Sequence, residues 1–376
     1  MRFPNPVLGE PMRFVVLASG SKGNAIVVQG GGTTLLIDCG LSAKALRGRL
    51  YEAGLDFPNL TALLLTHGHG DHVKGAGRVA GGMRLRTYAT PETVRFLARG
   101  GGLMHHVPIE RDARFQVGAL HVQAFPTLHD APGSVGYVVE YEGARIGFCT
   151  DLGAASPPVE AALQNCDTLY LEFNHDLEML RNGPYPPALV RRVSSDLGHL
   201  SNDQAAELLA RLYSPRLHRV LLAHLSETNN TASLALDAAH RALGDIRGVD
   251  ISIAPQHETS RWFEVQAGGK VVSESAAGDK AGAPSSVVFT ANESIDNAAT
   301  AGHRGRGGRT NAAPPLRHAS VASADEMPAA RTDAVRARRR ENAKTGLRSK
   351  AGPSDSPAKN SIAVVRQLQL FGGSSE

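Results

Sequence analysis

The sequence predicts an α/β sandwich: two sheets packed face to face, with helices on their outer faces. Three observations predict it. Apolar blocks of strand length recur over residues 12–266, first alone and then alternating with helical patterns. Glycine-rich turns join the first of these blocks. Residues of metal-ligating type recur at the ends of the blocks, as they do where such a sandwich builds a site along one edge.

Proline-rich residues 1–11 read as a loose N-terminus. Residues 13–18 form the first expected strand. Ser19-Gly20-Ser21-Lys22-Gly23-Asn24 reads as a turn, and residues 25–29 and 33–37 as the next two strands, which makes the opening antiparallel. Ser42 reads as the N-cap of a helix over 43–53 that Gly54 stops. The block at 60–65 reads as a buried strand. Pro91, in the first turn, opens a helix over 90–98. One strand is expected over 115–125. A hairpin of 135–141 and 145–149 turns at Glu142-Gly143. A short helix over 159–166 precedes a strand at 168–173. A helical pattern over 176–195 is broken by Pro184, Pro186 and Pro187. Residues 201–212 form a helix with a capping box from Ser201 to Gln204. A strand at 219–223, a helix at 232–243 and strands at 251–254 and 262–266 complete the order.

The chemistry concentrates just after the block at 60–65, in Thr66-His67-Gly68-His69-Gly70-Asp71-His72. Its three imidazoles and one carboxylate are the ligand types that divalent zinc, manganese or iron prefer. His67 and His69 stand two apart and share a face of an extended segment. Asp71 and His72 lie beyond Gly70, where the chain is free to turn them toward a second ion. The spacing predicts two neighbouring divalent metal ions, one per pair. The bland alternative is a polar surface loop. Two adjacent ions need a bridging carboxylate and a further ligand each. Asp151, after Ile146-Gly147-Phe148-Cys149-Thr150, is the natural bridge. His129 is the candidate to complete the ion at His67 and His69. His224, after Val220-Leu221-Leu222-Ala223, is the candidate to complete the ion at Asp71 and His72. Zinc and manganese both suit such a set.

Of 40 Lys+Arg and 36 Asp+Glu, residues 269–376 hold 16 and 10, leaving 24 and 26 for the rest. The basic surplus belongs to the C-terminal segment and favours loose attraction to phosphate backbones. Alanine, glycine, serine, proline and arginine dominate that segment, which is expected to be disordered. Val287-Val288-Phe289 within it has no evident role. The expected organisation is a loose start (1–11), a catalytic domain (12–268) and a basic tail (269–376). The three cysteines, Cys39, Cys149 and Cys166, argue against a disulfide framework and for small core residues in a reducing compartment. No apolar run approaches the roughly 18 residues of a membrane span. Met1-Arg2-Phe3-Pro4 has no apolar signal core. A cytoplasmic protein without membrane association is expected.

The H-x-H-x-D-H loop resembles the signature of the metallo-β-lactamase fold, and residues 12–266 are similar to its phosphodiesterases, in particular the YycJ (WalJ, VicX) family of DNA exonucleases. The matching pieces are Ser19-Gly20-Ser21-x-Gly23-Asn24, the histidine loop, Thr150-Asp151, Glu172-x-Asn174-His175-Asp176, Gly198-His199-Leu200-Ser201-Asn202 and His224-Leu225-Ser226-x-x-Asn229-Asn230. The family usually has serine where this chain has Phe173. The resemblance implies an αββα sandwich and attack on phosphorus by metal-activated water. It implies that His199 contacts phosphate or protonates the leaving oxygen, with Glu172 orienting it. Asp71 counts as catalytic as well as a ligand, and His175 and Asn24 as substrate-binding. It further implies DNA as substrate, exonuclease action with 5′ to 3′ polarity, and a place in DNA repair. A hydrolase of small cyclic phosphodiesters, a thiolester hydrolase and a non-catalytic clamp-binding or regulatory scaffold are the alternatives. The basic tail counts against the first, and a complete ligand set against the last.

Two features of the tail remain. Arg336-Ala337-Arg338-Arg339-Arg340 reads either as a solvated charge run or as loose attraction to DNA. Gln367-Leu368-Gln369-Leu370-Phe371 resembles the Q-L-x-L-F pentapeptide that binds the bacterial sliding clamp. That resemblance implies Leu370 and Phe371 in an apolar pocket and Gln367 as a hydrogen-bonded anchor, with the clamp as partner.

Overall fold

The computed structural model describes residues 9–98 and 105–268. Most of the proline-rich start, Val287-Val288-Phe289, the arginine cluster at 336–340 and the pentapeptide at 367–371 lie outside the described residues. Antiparallel strands β1 (Met12–Ala18), β2 (Ala25–Gly30) and β3 (Thr33–Ile37) open the first sheet. Helix α1 (Ala43–Glu52) starts where Ser42 Oγ accepts the Ala45 N–H at 3.2 Å. Then come β4 (Ala62–Leu64), α2 (Gly70–Val73), α3 (Ala76–Met83), β5 (Arg86–Ala89), α4 (Pro91–Ala98) and β6 (His106–Pro108). The second sheet begins with β7 (Arg114–Val117), β8 (Leu120–Pro126), β9 (Val135–Tyr141) and β10 (Ala144–Cys149). It continues through α5 (Pro157–Leu163), β11 (Thr168–Glu172), α6 (Leu177–Asn182), α7 (Pro187–Val193), α8 (Asn202–Leu212), β12 (Arg219–Ala223), α9 (Ala232–Leu243) and β13 (Asp250–Ile253). The last strand, β14 (Phe263–Val265), returns to the first sheet. The strand orders are β14-β1-β2-β3-β4-β5-β6 and β13-β12-β11-β10-β9-β8-β7.

Alternation along each strand feeds two different cores. Phe14, Val16, Val28, Leu35 and Ile37 meet Ile146, Phe148, Tyr170 and Leu221 between the sheets. Their neighbours Val15, Leu17, Val27, Leu36 and Leu63 pack outward on Leu46 and Leu50 of α1 and Val79 and Ala80 of α3. On the other side Leu169, Leu171, Val220 and Leu222 pack on Leu163, Leu208, Leu209 and Ala239 of the outer helices. Burial on both faces is why these strands read as continuous apolar blocks. The result is the expected sandwich, helix–sheet–sheet–helix. Among the described residues no helix is long and apolar enough to cross a membrane.

Three expectations need correction. The single strand over 115–125 is the hairpin β7–β8, because Gly118, at φ +57°, lies hard against Thr33 and turns the chain. The broken helix over 176–195 is two helices, α6 and α7, parted at the proline run. Residues 76–89 and 106–108, for which the sequence pattern predicts no element, carry α3, β5 and β6. Gly77, Gly81 and Gly82 hide α3, each costing a helix about 1 kcal/mol against alanine. Burying Val79 with Ala76 and Ala80 contributes a similar sum, at about 1.5–3 kcal/mol for a fully buried valine.

The topology leaves one edge for chemistry. β3, β4, β5 and β6 run parallel, as do β10, β11, β12 and β13. The loops at the C-terminal ends of both parallel halves meet, the place where open α/β sheets put their ligands. Hydrogen bonds pin the sheets together there. The Tyr137 hydroxyl donates to the Leu65 carbonyl at 2.7 Å, and the Val135 N–H to the Thr66 carbonyl at 3.0 Å. The Tyr170 hydroxyl donates to Ser19 Oγ at 2.7 Å, and Ser19 Oγ also accepts the His224 N–H at 3.0 Å.

Candidate metal centre

The loop after β4 is held in place by the surrounding protein. Asp38, at the end of β3, accepts the Thr66 N–H at 2.9 Å on Oδ1. Its Oδ2 accepts the His72 Nδ1–H at 2.7 Å. Backbone bonds run from Asn24 N–H to the Asp71 carbonyl at 2.8 Å and from Cys39 N–H to the His72 carbonyl at 2.7 Å. Gly40 sits against this seam. A Cβ on it would overlap the Asp71 carbonyl and stand 2.6 Å from the Asn24 nitrogen. A Gly40→Ala protein is therefore expected to lose about 2–4 kcal/mol of stability and much of its metal affinity. Chemical unfolding together with metal analysis checks this, and a variant of wild-type stability would refute the seam.

All seven residues expected as metal ligands come together. Ligand atoms of His67, His69 and His129 lie within 4.8 Å of one another, as do those of Asp71, His72 and His224. Asp151 joins the two sets. Its Oδ2 is 3.2 Å from His72 Nε2, and its Oδ1 is 3.7 Å from both His129 Nε2 and His224 Nε2. In the imidazoles outside the histidine pair 67/69, the far nitrogen is already committed. His72 Nδ1 faces Asp38, His129 Nδ1 faces the Gly198 carbonyl at 3.1 Å, and His224 Nδ1 faces Glu172 at 3.0 Å. Partners of this kind fix the tautomer, and here they make Nε2 the nitrogen that each ring turns toward the centre.

The residues fit divalent ions. His67 Nε2, His224 Nε2 and Asp151 Oδ2 are buried with no hydrogen-bond partner. Asp151 Oδ2 is close to His72 Nε2, but the geometry is not that of a hydrogen bond. Buried polar atoms are rarely left so. With Nδ1 of His72 given to Asp38, only a proton or a cation can lie between these two lone-pair atoms. Three residues that turn into the centre, Asp38, Asp151 and His224, have left-handed backbone at φ 59°, 58° and 55°. Strained backbone of this kind gathers at functional sites.

Glu172 and His199 lie beside this cluster. Glu172 is fully buried and accepts the Asp151, Leu152 and Leu200 N–H groups at 3.2, 2.9 and 3.1 Å. Its Oε1 also takes His199 Nδ1 at 2.9 Å and His224 Nδ1 at 3.0 Å. Five donors use up its lone pairs, so Glu172 positions two histidines rather than binding an ion. Burial would raise its pKa, yet the two imidazoles hold it down at about 2. The His199 side chain keeps 18 % of its surface exposed and is the outermost imidazole of this pair. Burial opposes its charge, but Glu172 raises its pKa above the ordinary value.

The two expected substrate contacts, Asn24 and His175, are both buried. Asn24 is buried, with Oδ1 accepting the Gly20 N–H at 2.8 Å and Nδ2 3.0 Å from His72 Nε2. It braces the turn against the metal loop. His175 is 1 % exposed, its Nδ1 is 3.3 Å from Asn174 Oδ1, and burial lowers its pKa to about 4. Two further residues stand at the site. Asp38 carried no signal beyond ending a strand. Asp130, next to His129, has Oδ1 3.5 Å from both His69 and His129, and its Oδ2 accepts the Arg192 Nε–H at 2.6 Å.

Without an ion the carboxylates keep protons on the neighbouring imidazoles. Burial pushes the His224 imidazole down, but Asp151, Asp71 and Glu172 overrule it and raise its pKa to about 10. Asp151 and Asp38 likewise raise His72 against its burial. Burial and the neighbouring imidazoles lower His67. An ion entering at Asp71, His72 and His224 must displace protons across the neutral range. Metal affinity is thus expected to rise with pH up to about 10, with proton release on binding. Calorimetry in buffers of different ionisation enthalpy measures that release, and a pH-independent affinity would contradict the assignment.

The β-lactamase superfamily domain matches residues 33–225, just over half of the 376 residues. The chain is 34 % identical over 230 residues to exodeoxyribonuclease YycJ of Bacillus anthracis, covering 60 % of this chain and 86 % of that one. It is also 34 % identical over 229 residues to exodeoxyribonuclease WalJ of Streptococcus pneumoniae, covering 59 % and 85 %. Among solved structures, the metallo-β-lactamase fold protein YhfI of Bacillus subtilis superposes with a TM-score of 0.53 at 16 % identity, over 67 % of this chain and 99 % of that one. With this fold, this donor set and relatives matched over most of their length, the chain belongs to the β-lactamase superfamily, in the family of YycJ and WalJ, and is a metal-dependent hydrolase.

Proposed function

We propose that the protein is a two-metal phosphodiesterase that degrades DNA from its ends. The observation that carries this reading is the position of Asp151 between two ligand triads, close to His129 of one and to His72 and His224 of the other, beside a histidine held by a buried glutamate. His67, His69 and His129 would hold one ion, Asp71, His72 and His224 the other, and Asp151 both. Zinc and manganese both suit these donors. When bound, the ions supply charge for phosphate oxygens and a water of lowered pKa. The chain's own part is positional. His199, with Nδ1–H given to Glu172, offers its other nitrogen to the phosphate or to the leaving oxygen. Asn24 and Asp38 keep the histidine loop in register. DNA enters as substrate through the names of the relatives, and the 5′ to 3′ polarity, the repair role and the cytoplasmic location through family resemblance. Residues 12–268 would form the catalytic domain. Residues 269–376 would form a basic tether whose Gln367-Leu368-Gln369-Leu370-Phe371 engages the sliding clamp and raises local concentration at replicating DNA.

The test is an assay of purified protein, with added manganese or zinc, on end-labelled linear duplex, single strands, covalently closed circles and a cyclic nucleotide. Release of nucleotides from linear DNA with circles left intact is the expected result. Turnover of the cyclic nucleotide alone would move the reading to small phosphodiesters. Inertness toward all four substrates would leave a scaffold.

A further inference from the structure

We propose that a cleft beside the metal centre receives the base of the nucleotide next to the scissile phosphate, with Phe96 as its stacking platform. The proposal rests on the reading of DNA as substrate. The cleft, about 410 Å³, is lined by Gly68, His69, Phe96, Asp130 and Pro132 among others, so it opens directly beside one expected ligand. Phe96 is 46 % exposed, although a phenylalanine on a helix facing a sheet is ordinarily buried. Its ring lies on Gly68, where a Cβ would stand 2.7 Å from Cδ1 and 2.9 Å from Cγ. Gly68 separates His67 from His69. The exposed ring is therefore one residue away from two expected ligands on either side.

The cleft is built to keep its width. Thr90 Oγ1, at the start of α4, donates to the Gly133 carbonyl at 2.9 Å, which joins the helix bearing Phe96 to the loop 130–133. The charges on its wall are already paired. Glu92 holds Arg95 at 2.6 Å, and Asp130 holds Arg192 at 2.6 Å. A wall of paired charges around a bare aromatic ring suits a flat, uncharged group better than a second phosphate. Two further exposed apolar side chains, Leu128 at 39 % and Leu197 at 49 %, lie on the loops that bear His129 and His199. Aromatic stacking tolerates any base, as an exonuclease requires.

The experiment compares wild type, Phe96→Ala and Phe96→Tyr on linear DNA whose reacting end carries either a normal base or an abasic residue. Phe96→Ala is expected to raise KM on base-bearing ends by about 10- to 100-fold. On abasic ends it should match wild type, and Phe96→Tyr should restore binding. Binding is read independently with 2-aminopurine at the terminal position of phosphorothioate-protected DNA. Wild type and Phe96→Tyr should quench its fluorescence, and Phe96→Ala should not. Equal losses on both kinds of end, or bound but unquenched 2-aminopurine in wild type, would overturn the stacking role alone. A wild type that neither binds nor cuts DNA would sink the stacking role together with the nuclease reading. Phe96 supports no buried core, so unchanged thermal unfolding is expected of all three proteins.

Discussion

An Asp151→Ala protein is expected to fold, to lose bound metal, and to hydrolyse phosphodiesters at least about a thousandfold more slowly. Asp151 is the residue whose oxygens stand between the two triads, near His72 on one side and His129 and His224 on the other. Loss of a partner outside the ligand shell ordinarily costs 10- to 100-fold in metal affinity, so loss of the shared ligand should cost more. Removing a metal's contribution of on the order of 4 kcal/mol to the barrier is about three decades in rate. Asp151→Asn separates charge from shape. Asp151 is the strongest of the influences that raise His224 and His72. The amide variant should therefore let both imidazoles lose their protons at lower pH while still failing to bridge two ions. Elemental analysis and imidazole titration by nuclear magnetic resonance read the two effects separately. An Asp151→Ala protein with two ions and wild-type turnover would remove the dinuclear assignment.

His199→Ala, by contrast, should keep its metal and lose about 10²- to 10⁴-fold in kcat, the usual worth of a positioned acid. The pH profile carries the sharper test. As a general acid His199 must be protonated, so activity falls as pH rises through its pKa. Glu172 raises that pKa, and Glu172→Gln should move the alkaline limb to lower pH. The same change removes acceptor capacity from a carboxylate that takes five donors, so a loss of stability is expected beside the shift. A His199→Ala enzyme with full turnover, or a Glu172→Gln enzyme with an unmoved alkaline limb, would return His199 to a structural role.

What the sequence revealed depended on how local each signal was. Four ligand-type residues within six positions announced themselves. Strand-end placement then made Asp151, His129 and His224 candidates, because apolar blocks buried on both faces are easy to see. Asp38 stayed hidden. Its work is a contact with His72 across 34 positions, and one aspartate at a strand end looks like any other. Asn24 and His175 were legible as polar residues in matching motifs, but not their direction. Both are buried, and nothing in a motif distinguishes a buried side chain from an exposed one. Helix α3 was lost among glycines, and the β7–β8 hairpin was lost because the turn at Gly118 depends on Thr33, 85 positions earlier in the chain.

The left-handed twist at Asp38, Asp151 and His224 has a consequence for which amino acids the site can recruit. Aspartate, asparagine and histidine visit that region several times more readily than most side chains, and β-branched or bulky ones hardly at all. Handedness thus screens the donors before any cation does. A glutamate at 151 or a cysteine at 224 would offer a serviceable ligand on a backbone that resists it. Any redesign of this centre for another ion begins with the curl of three peptide units and comes to coordination preferences afterwards.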